Sequence, residues 1–590
     1  MWTQSSHLPV PNTSRRAFLK GSAAIASCLL IGTYVDFGIR NAVAATPQDG
    51  PAPNVFIKVG ADNTVTVIVK HLDKGQGVTT GFATIVADEL DADWSQMRSE
   101  FAPANAALYN NLLFGPLQAT GGSTSVANSF DQLRKAAAAA RAMMVAAAAE
   151  DWSLPASEIT ITKGVVAHIS SGKQVSFGNL AAKAAMMPLP TEVKLKDPKD
   201  WIYIGKHVPR IDSIEKTTGR AQYAIDVRRP GMLTAVVARS PRFGGVVRSF
   251  DATGAKAVNG VADVVSIGSG VVVLANDTWS AIKGREALKV EWDDSKAETR
   301  SSDAILAEYR KLVETPGLPA VRRGDADAAL KNAAKVIEVE FEFPYLAHAP
   351  MEPLNGVIEV NADGTVELWA GSQFQTVEQA TVAAVLGLKP SQVKINTVWA
   401  GGSFGRRATP NADYFLEMAM IAKVTGGKTP VHLLWTREDD IQGGRYRPMV
   451  VHKVRAGLDT SGDIAGWDHR IVSQSFVIGN PFEATLVKNG VDQLAVEGAA
   501  DMPYQIPNLA VDWHHVSSPV TTLWWRSVGH THTAQVVEVM IDALVQNKNR
   551  ALVITRRKAY PDHYISLPNE SEQHVQHDGI SKIARRRIRT

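Results

Sequence analysis

The sequence predicts a mixed α+β fold spread over several domains, and three observations carry that expectation. Residues 55–69 alternate apolar and polar side chains as paired strands do, with a turn at Asp62-Asn63. An alanine-rich stretch through Leu133, Ala137, Ala140, Met144 and Ala147 has helical spacing and stops before Pro155. From about Ala333 to Gln546, strands rich in Val, Ile and Trp alternate with helices over residues 375–386 and 411–424. At 590 residues the chain is too long for one core, so two to four domains are expected.

Taken in order, residues 1–45 read as an export signal. Ser14-Arg15-Arg16-Ala17-Phe18-Leu19-Lys20 matches the twin-arginine pattern, a moderately apolar run covers 22–35, and Ala42-Val43-Ala44 offers a cleavage site. That run is shorter than the roughly 20 residues a bilayer span needs. The expectation is a periplasmic protein exported folded; the plain alternative is a basic helix start. Ile25-Ala26-Ser27-Cys28 loosely resembles a lipoprotein site, but Leu29, Leu30 and Ile31 continue the apolar run.

A Pro-rich linker opens a unit over 46–200, whose helix follows the loop Thr120-Gly121-Gly122-Ser123 and has Ser129 with Gln132 as its expected capping box. A second unit, 201–320, holds Thr218-Gly219-Arg220-Ala221-Gln222-Tyr223, strands at 233–238 and 271–275, and a polar helical stretch at 303–315. A third covers 321–546. Residues 547–590 are basic without apolar periodicity, and read as a non-native or disordered tail. There is no internal repeat.

A net charge of +3 argues against binding nucleic acid through its phosphates. The single cysteine, Cys28, lies in the signal. A processed chain would have none, which excludes disulfides, thiolate zinc sites, a cysteine nucleophile and cysteine-ligated clusters. Redox chemistry must then use a bound cofactor and pass electrons to another protein.

Gly401-Gly402-Ser403-Phe404-Gly405-Arg406-Arg407 lies between an apolar strand (393–400) and a helix. Glycines there let backbone N–H groups approach an anionic or oxo-rich ligand, and the helix N-terminus favours the same charge. The dinucleotide spacing is absent, and Gly427-Lys428-Thr429 lacks the first glycine of a phosphate loop, with Ala422 in its place. An unspecific turn is the bland alternative. Arg406 and Arg407 read either as surface charges or as phosphate or pterin contacts. His530 and His532 could pair on a metal or be ordinary loop histidines. His348 reads as a packing residue rather than a base.

Several runs resemble the xanthine dehydrogenase and aldehyde oxidase family of molybdenum hydroxylases. Trp369-Ala370-Gly371-Ser372-Gln373, the helix to Leu386-Gly387, and the Gly-Gly-Ser-Phe-Gly-Arg loop look like its cofactor-binding core. Lys74-Gly75-Gln76-Gly77 resembles the family's Met-Gly-Gln-Gly loop, with Lys74 departing from Met, and residues 120–125 resemble a second such loop. Residues 218–226 resemble the opening of an α/β hammerhead domain. Ala347-His348-Ala349-Pro350-Met351-Glu352-Pro353 and Trp435-Thr436-Arg437-Glu438-Asp439-Asp440 are typical of the isoquinoline 1-oxidoreductase and aldehyde dehydrogenase branch. Trp525-Arg526-Ser527-Val528-Gly529 takes the place of an Arg-Gly-x-Gly loop.

The resemblance implies molybdopterin-binding domains with an inserted hammerhead, and a large subunit that hydroxylates aldehydes or N-heterocycles with water as oxygen source. The implied cofactor is molybdenum–molybdopterin cytosine dinucleotide, held through its own dithiolene, so no metal-ligating side chain is expected. Gln373 would bond an oxo ligand, and Gly401, Gly402, Phe404 and Gly405 would lie beside the metal. Gly75, Gln76, Gly77, Gly121, Gly122, Ser123, Arg406 and Arg526 complete the expected cofactor-binding set. The three glycine loops are expected to converge on one cleft with their N–H groups free for the ligand. Implied partners are a small two-cluster iron–sulfur subunit, a periplasmic cytochrome c as a candidate acceptor, and a small-molecule substrate. The family's Gly-Val-Gly-Glu base motif does not occur, so no catalytic residue is assigned, and the resemblance stops after Leu544. The other expectation is a truncated, catalytically inactive remnant or binding scaffold. A quinoprotein is a third reading, invited by 13 tryptophans but without a propeller repeat.

Overall fold

The computed structural model describes Leu29–Gly32 and residues 55–546; the twin-arginine motif, its cleavage site and the basic tail lie outside these. The first sheet has the order β1 (Leu29–Gly32), β2 (Val55–Val59), β3 (Val65–Val69), β4 (Met97–Phe101). β2 and β3 form the expected hairpin, with Asn63 at φ 68° in its turn. β3 and β4 run parallel, joined through helix α1 (Val78–Leu90).

Helix α2 (Ser125–Trp152) covers this sheet, and its run Ala136 to Ala140 is buried within 2% exposure, letting α1 and the sheet approach closely. The expected capping box is corrected here. Gly122 and Ser123, at φ 57° and 56°, turn the chain so that the helix starts at Ser125, one turn early. Ser129 and Gln132 therefore lie inside the helix. The Gln132 side-chain oxygen instead accepts from Lys70 Nζ at 2.8 Å, and burial pushes that lysine down to about 7.

Further along are β5 (Leu233–Ala238), β6 (Val261–Ile267), β7 (Gly270–Ala275), β8 (Leu318–Arg323), β9 (Lys335–Phe343), β10 (Asn355–Val360) and β11 (Val366–Ala370). Helix α3 (Gln375–Leu386), β12 (Val393–Thr397), α4 (Asp413–Thr425), β13 (Val431–Leu434), β14 (Val450–Leu458), β15 (Ile464–Ser473), β16 (Leu509–His515) and α5 (His530–Gln546) complete the frame. A seven-stranded sheet has the order β6-β7-β5-β13-β10-β11-β12, so residues 201–320 and 321–546 share one sheet, joined by the parallel pair Val431↔Leu233. β7 is buried along its whole length, which is why it reads as an uninterrupted apolar run. A five-stranded sheet, β8-β16-β15-β14-β9, shares one core with α5, in which Trp467 and Trp513 lie together with Val536, Met540 and Ile541. Among the described residues no helix is long and apolar enough to cross a membrane.

Candidate cofactor site

The loop after β3 is shaped by one buried carboxylate. Asp73 accepts from Gly75 N at 2.9 Å, Gly77 N at 3.4 Å, Thr79 N at 3.1 Å and Thr79 Oγ1 at 2.8 Å. Gly75 and Gly77 sit at φ 111° and 87°, conformations a side chain resists. The Gln76 side chain bridges back, donating to Leu72 O and accepting from Lys74 N, each at 2.8 Å. The expectation that these glycine N–H groups stay free is corrected, because Asp73 takes them.

This loop meets the second through Leu72 N, which donates to Thr120 Oγ1 at 2.9 Å. Thr120 in turn meets the end of β11: its N–H donates to Gln373 O at 3.0 Å, and Gln373 Nε2 donates to Thr120 O at 2.7 Å. The Gln373 Oε1 accepts from Ser403 Oγ at 2.6 Å, which brings in the third loop. Gln373, 2% exposed, thus ties the second loop directly to the third, and the first joins them through Thr120, 48 residues from Leu72. Its amide nitrogen carries a second N–H beyond the one given to Thr120.

In loop 401–407 the Ser403 hydroxyl also accepts from Gly405 N and Arg407 N, both at 3.2 Å. Gly401 N and Arg407 Nη2 donate to Glu352 Oε2 at 2.8 and 2.9 Å, clamping the loop to segment 347–353. Gly405, at φ 109°, passes so close to Trp524 that a Cβ would stand 2.3 Å from its carbonyl oxygen. Arg526 N donates to Phe404 O at 2.6 Å, and the Phe404 ring stacks on Trp525 with centroids 6.3 Å apart. The helix after this loop begins only at Asp413, whose carboxylate bonds Tyr414 N and Thr409 Oγ1. The expected contribution of that helix N-terminus at the glycines is therefore absent.

Two cations face the junction. Burial and the neighbouring Arg407 guanidinium push Lys74 down to about 8, and Arg407, fully buried, leaves Nη1 without an acceptor. Arg406 turns the other way, bonding Asp413 at 2.8 Å and stacking on Trp435. His348 has Arg445 O at 3.0 Å and Trp524 O at 2.9 Å on its two ring nitrogens, and burial pushes it down to about 4, in keeping with a packing role. His530 and His532 separate: the first lies 3.3 Å from Glu497, while the second, fully buried, contacts His452 at 3.0 Å. Among the described residues no cluster of three His, Cys, Asp or Glu could hold a metal ion.

The molybdopterin cofactor-binding domain family matches residues 16–224 and 310–559. The beta subunit of isoquinoline 1-oxidoreductase from Brevundimonas diminuta is 30% identical over 92% of this chain and 74% of its own. A membrane-bound aldehyde dehydrogenase (pyrroloquinoline-quinone) of Gluconacetobacter polyoxogenes is 31% identical over 91% of this chain and 71% of its own. The chain belongs to the xanthine dehydrogenase family of molybdopterin-dependent oxidoreductases. A nicotinate dehydrogenase subunit of Pseudomonas putida is a further relative, 27% identical over 85% of this chain and 43% of its own. Quinoline 2-oxidoreductase from Pseudomonas putida 86 aligns over 58% of this chain and 48% of its own, with a TM-score of 0.47 and 18% identity.

The residues of this molybdopterin-binding chain fit an anionic, oxygen-rich group. Two like charges, Lys74 and Arg407, are held together beside the loops, and the orphaned Arg407 Nη1 asks for an acceptor. Gly402, at φ 94°, has only Pro350 and Met351 near its missing Cβ, the nearest atom 3.4 Å away. Two important side chains had escaped sequence reading. Glu352 stood inside a recognised motif without a role. Glu378, 1% exposed on α3, accepts from Ser372 Oγ and from Phe374 N and is pushed by burial up to about 8, so it buttresses the turn carrying Gln373 as a neutral acid. A glutamate four residues into a helix that follows a Ser-Gln turn was the available signal.

Proposed function

We propose that this chain is the molybdenum-cofactor-binding large subunit of an exported hydroxylase acting on aldehydes or N-heterocycles, with the cofactor as its cytosine dinucleotide. The observation that carries this reading is that three glycine loops are linked at one place, the second and third through Gln373 and the first through Thr120. When bound, the molybdenum group would supply oxygen transfer from water and take up two electrons. The second N–H of Gln373 would donate to a ligand oxygen, and Lys74 with Arg407 would offset the anionic charge of the pterin phosphates. The loops with Gly75, Gln76, Gly77, Gly121, Gly122 and Ser123 would form one wall, and Gly401, Gly402, Phe404, Gly405 and Arg526 the other.

Electrons would leave to a small two-cluster iron–sulfur subunit and then to a periplasmic cytochrome c. Two of the relatives are named as single subunits of larger enzymes, which supports a partnered enzyme. The twin-arginine pattern at residues 14–20 supports export of a protein folded around its cofactor.

Molybdenum and acid-released cytosine nucleotide, measured on the purified exported protein, should both approach one per chain. Absence of both from a folded chain would defeat the reading. Gly402→Val should lower molybdenum retention at least about tenfold, about 1.4 kcal/mol of binding. It should also add about 1–3 kcal/mol of backbone strain. A chain that retains molybdenum but oxidises neither class of substrate would instead support the scaffold reading. Arg15→Lys together with Arg16→Lys should keep the precursor in the cytoplasm. Unchanged periplasmic protein on fractionation would refute the export claim.

A further inference from the structure

A cavity of about 450 Å³ opens where the chain after β5, the β6–β7 turn, α4 and residues 442–445 meet. Gln373, Thr120 and Ser403 do not lie in its wall, and of loop 401–407 only Arg406 does. Arg239, Arg242, Arg406 and Arg445 do, against two carboxylates, Asp413 and Glu417. The wall therefore carries more positive than negative charge.

Arg406 is held rigidly. Only 1% of it is exposed, its Nη1 donates to Asp413 at 2.8 Å, and its guanidinium lies 5.1 Å from the Trp435 ring. Arg239 covers the same indole at 3.8 Å, and Trp435 Nε1 donates to Glu417 at 2.8 Å, so the ring cannot swing. Arg406 Nε and Nη2 nevertheless have no acceptor. These two N–H groups point in parallel from one edge of the guanidinium, the edge that receives a carboxylate in two bonds. Unpaired donors at a buried cation are costly, and a preorganised fork gains both bonds when an anion arrives. Asp440 Oδ1 is also unpartnered, and burial raises its carboxyl against the pull of the Arg406 charge, but it makes no hydrogen bond to Arg406 and lies outside the cavity wall.

We propose that this cavity binds a small organic monocarboxylate, its carboxylate on the Nε–Nη2 edge of Arg406 and its apolar body against Phe243, Leu416 and Met420. The volume suits an organic ligand rather than a bare ion. Asp413 and Glu417 in the wall disfavour a dianion.

The test is calorimetric titration of the purified full chain with benzoate, benzamide and sulfate. One saturable benzoate site is expected, with no measurable benzamide binding. Arg406→Lys keeps the charge and loses the fork; Met420→Trp fills the cavity and leaves the fork. Each should weaken benzoate at least about tenfold. If Arg406→Lys does not fold, Met420→Trp decides. Absence of a saturable site, indifference to the cavity variants, or sulfate binding as tightly as benzoate would each overturn the proposal. So would loss of benzoate binding in folded Gly402→Val, which would put the ligand in the cofactor cleft.

Discussion

Glu378 shows how one buried acid can serve a site without touching a ligand. It bonds Ser372 and the backbone of Phe374 on either side of Gln373, and burial raises it to about 8. The folded chain thus holds a proton that the unfolded chain releases near the ordinary value of 4.5. Its contribution to stability is complete below pH 4.5 and is lost as the pH rises through 8. Glu378→Gln, neutral at every pH, should gain on the wild type by about 1.4 kcal/mol per pH unit across that window and level off above it. Melting curves of the two proteins from pH 5 to 9 check this, and a constant difference would mean that the acid is ionised in the fold.

At the scale of elements, the three glycine loops differ in what their glycines do. Gly75, at φ 111°, has no atom within 4 Å of a built Cβ, so it answers only to backbone strain. Gly405, at φ 109°, has in addition the Trp524 carbonyl 2.3 Å from that Cβ. Gly75→Ala should cost about 1–3 kcal/mol, the usual penalty for a strained backbone. Gly405→Ala should cost more, because the segment that meets Phe404 must also shift. Thermal unfolding of both variants compares them directly; equal losses would show that loop 401–407 is not braced by residues 524–526.

Across the whole molecule, buried neutral histidines set the response to acid. His71, His469 and His532 are pushed by burial down to about 3, His348 and His432 to about 4, and His452 well below the usual 6.5. Three of them form a chain, with His452 Nδ1 2.8 Å from His469 and its Nε2 3.0 Å from His532. Below pH 6.5 the unfolded chain protonates these groups and the folded chain does not. Stability is therefore full above 6.5 and falls as the pH drops toward 4 and 3, by up to about 1.4 kcal/mol per pH unit for each histidine. Glu378 opposes this, as do Glu215, Asp440, Asp468 and Glu497, all raised by burial. Denaturant midpoints should accordingly fall between pH 7 and pH 5, and a flat or rising trend would contradict the buried neutral state.

Local pattern was enough for much of the fold. The alternation at 55–69, the strand at 233–238 and the helix at 375–386 depend on side-chain periodicity, which survives in any one stretch of chain. The glycine runs announced loops for the same reason, since φ above zero is a property of single residues. The sequence could not reveal what the loops would bond to. Asp73 took the N–H groups expected to stay free, Gln132 left its expected cap for Lys70, and Arg406 and Arg407, neighbours in sequence, turned to different carboxylates, Asp413 and Glu352. Asp73 and Asp413 are near neighbours of the groups they bond, but Gln132 reaches Lys70 over 62 residues and Glu352 reaches Arg407 over 55, as Gln373 is brought to Thr120 and Ser403. A buried donor must find an acceptor wherever packing places one, and packing is decided only when all the strands are assembled. From its own residues the chain determined its elements and its family; the tertiary structure alone decided which polar groups remain for a ligand.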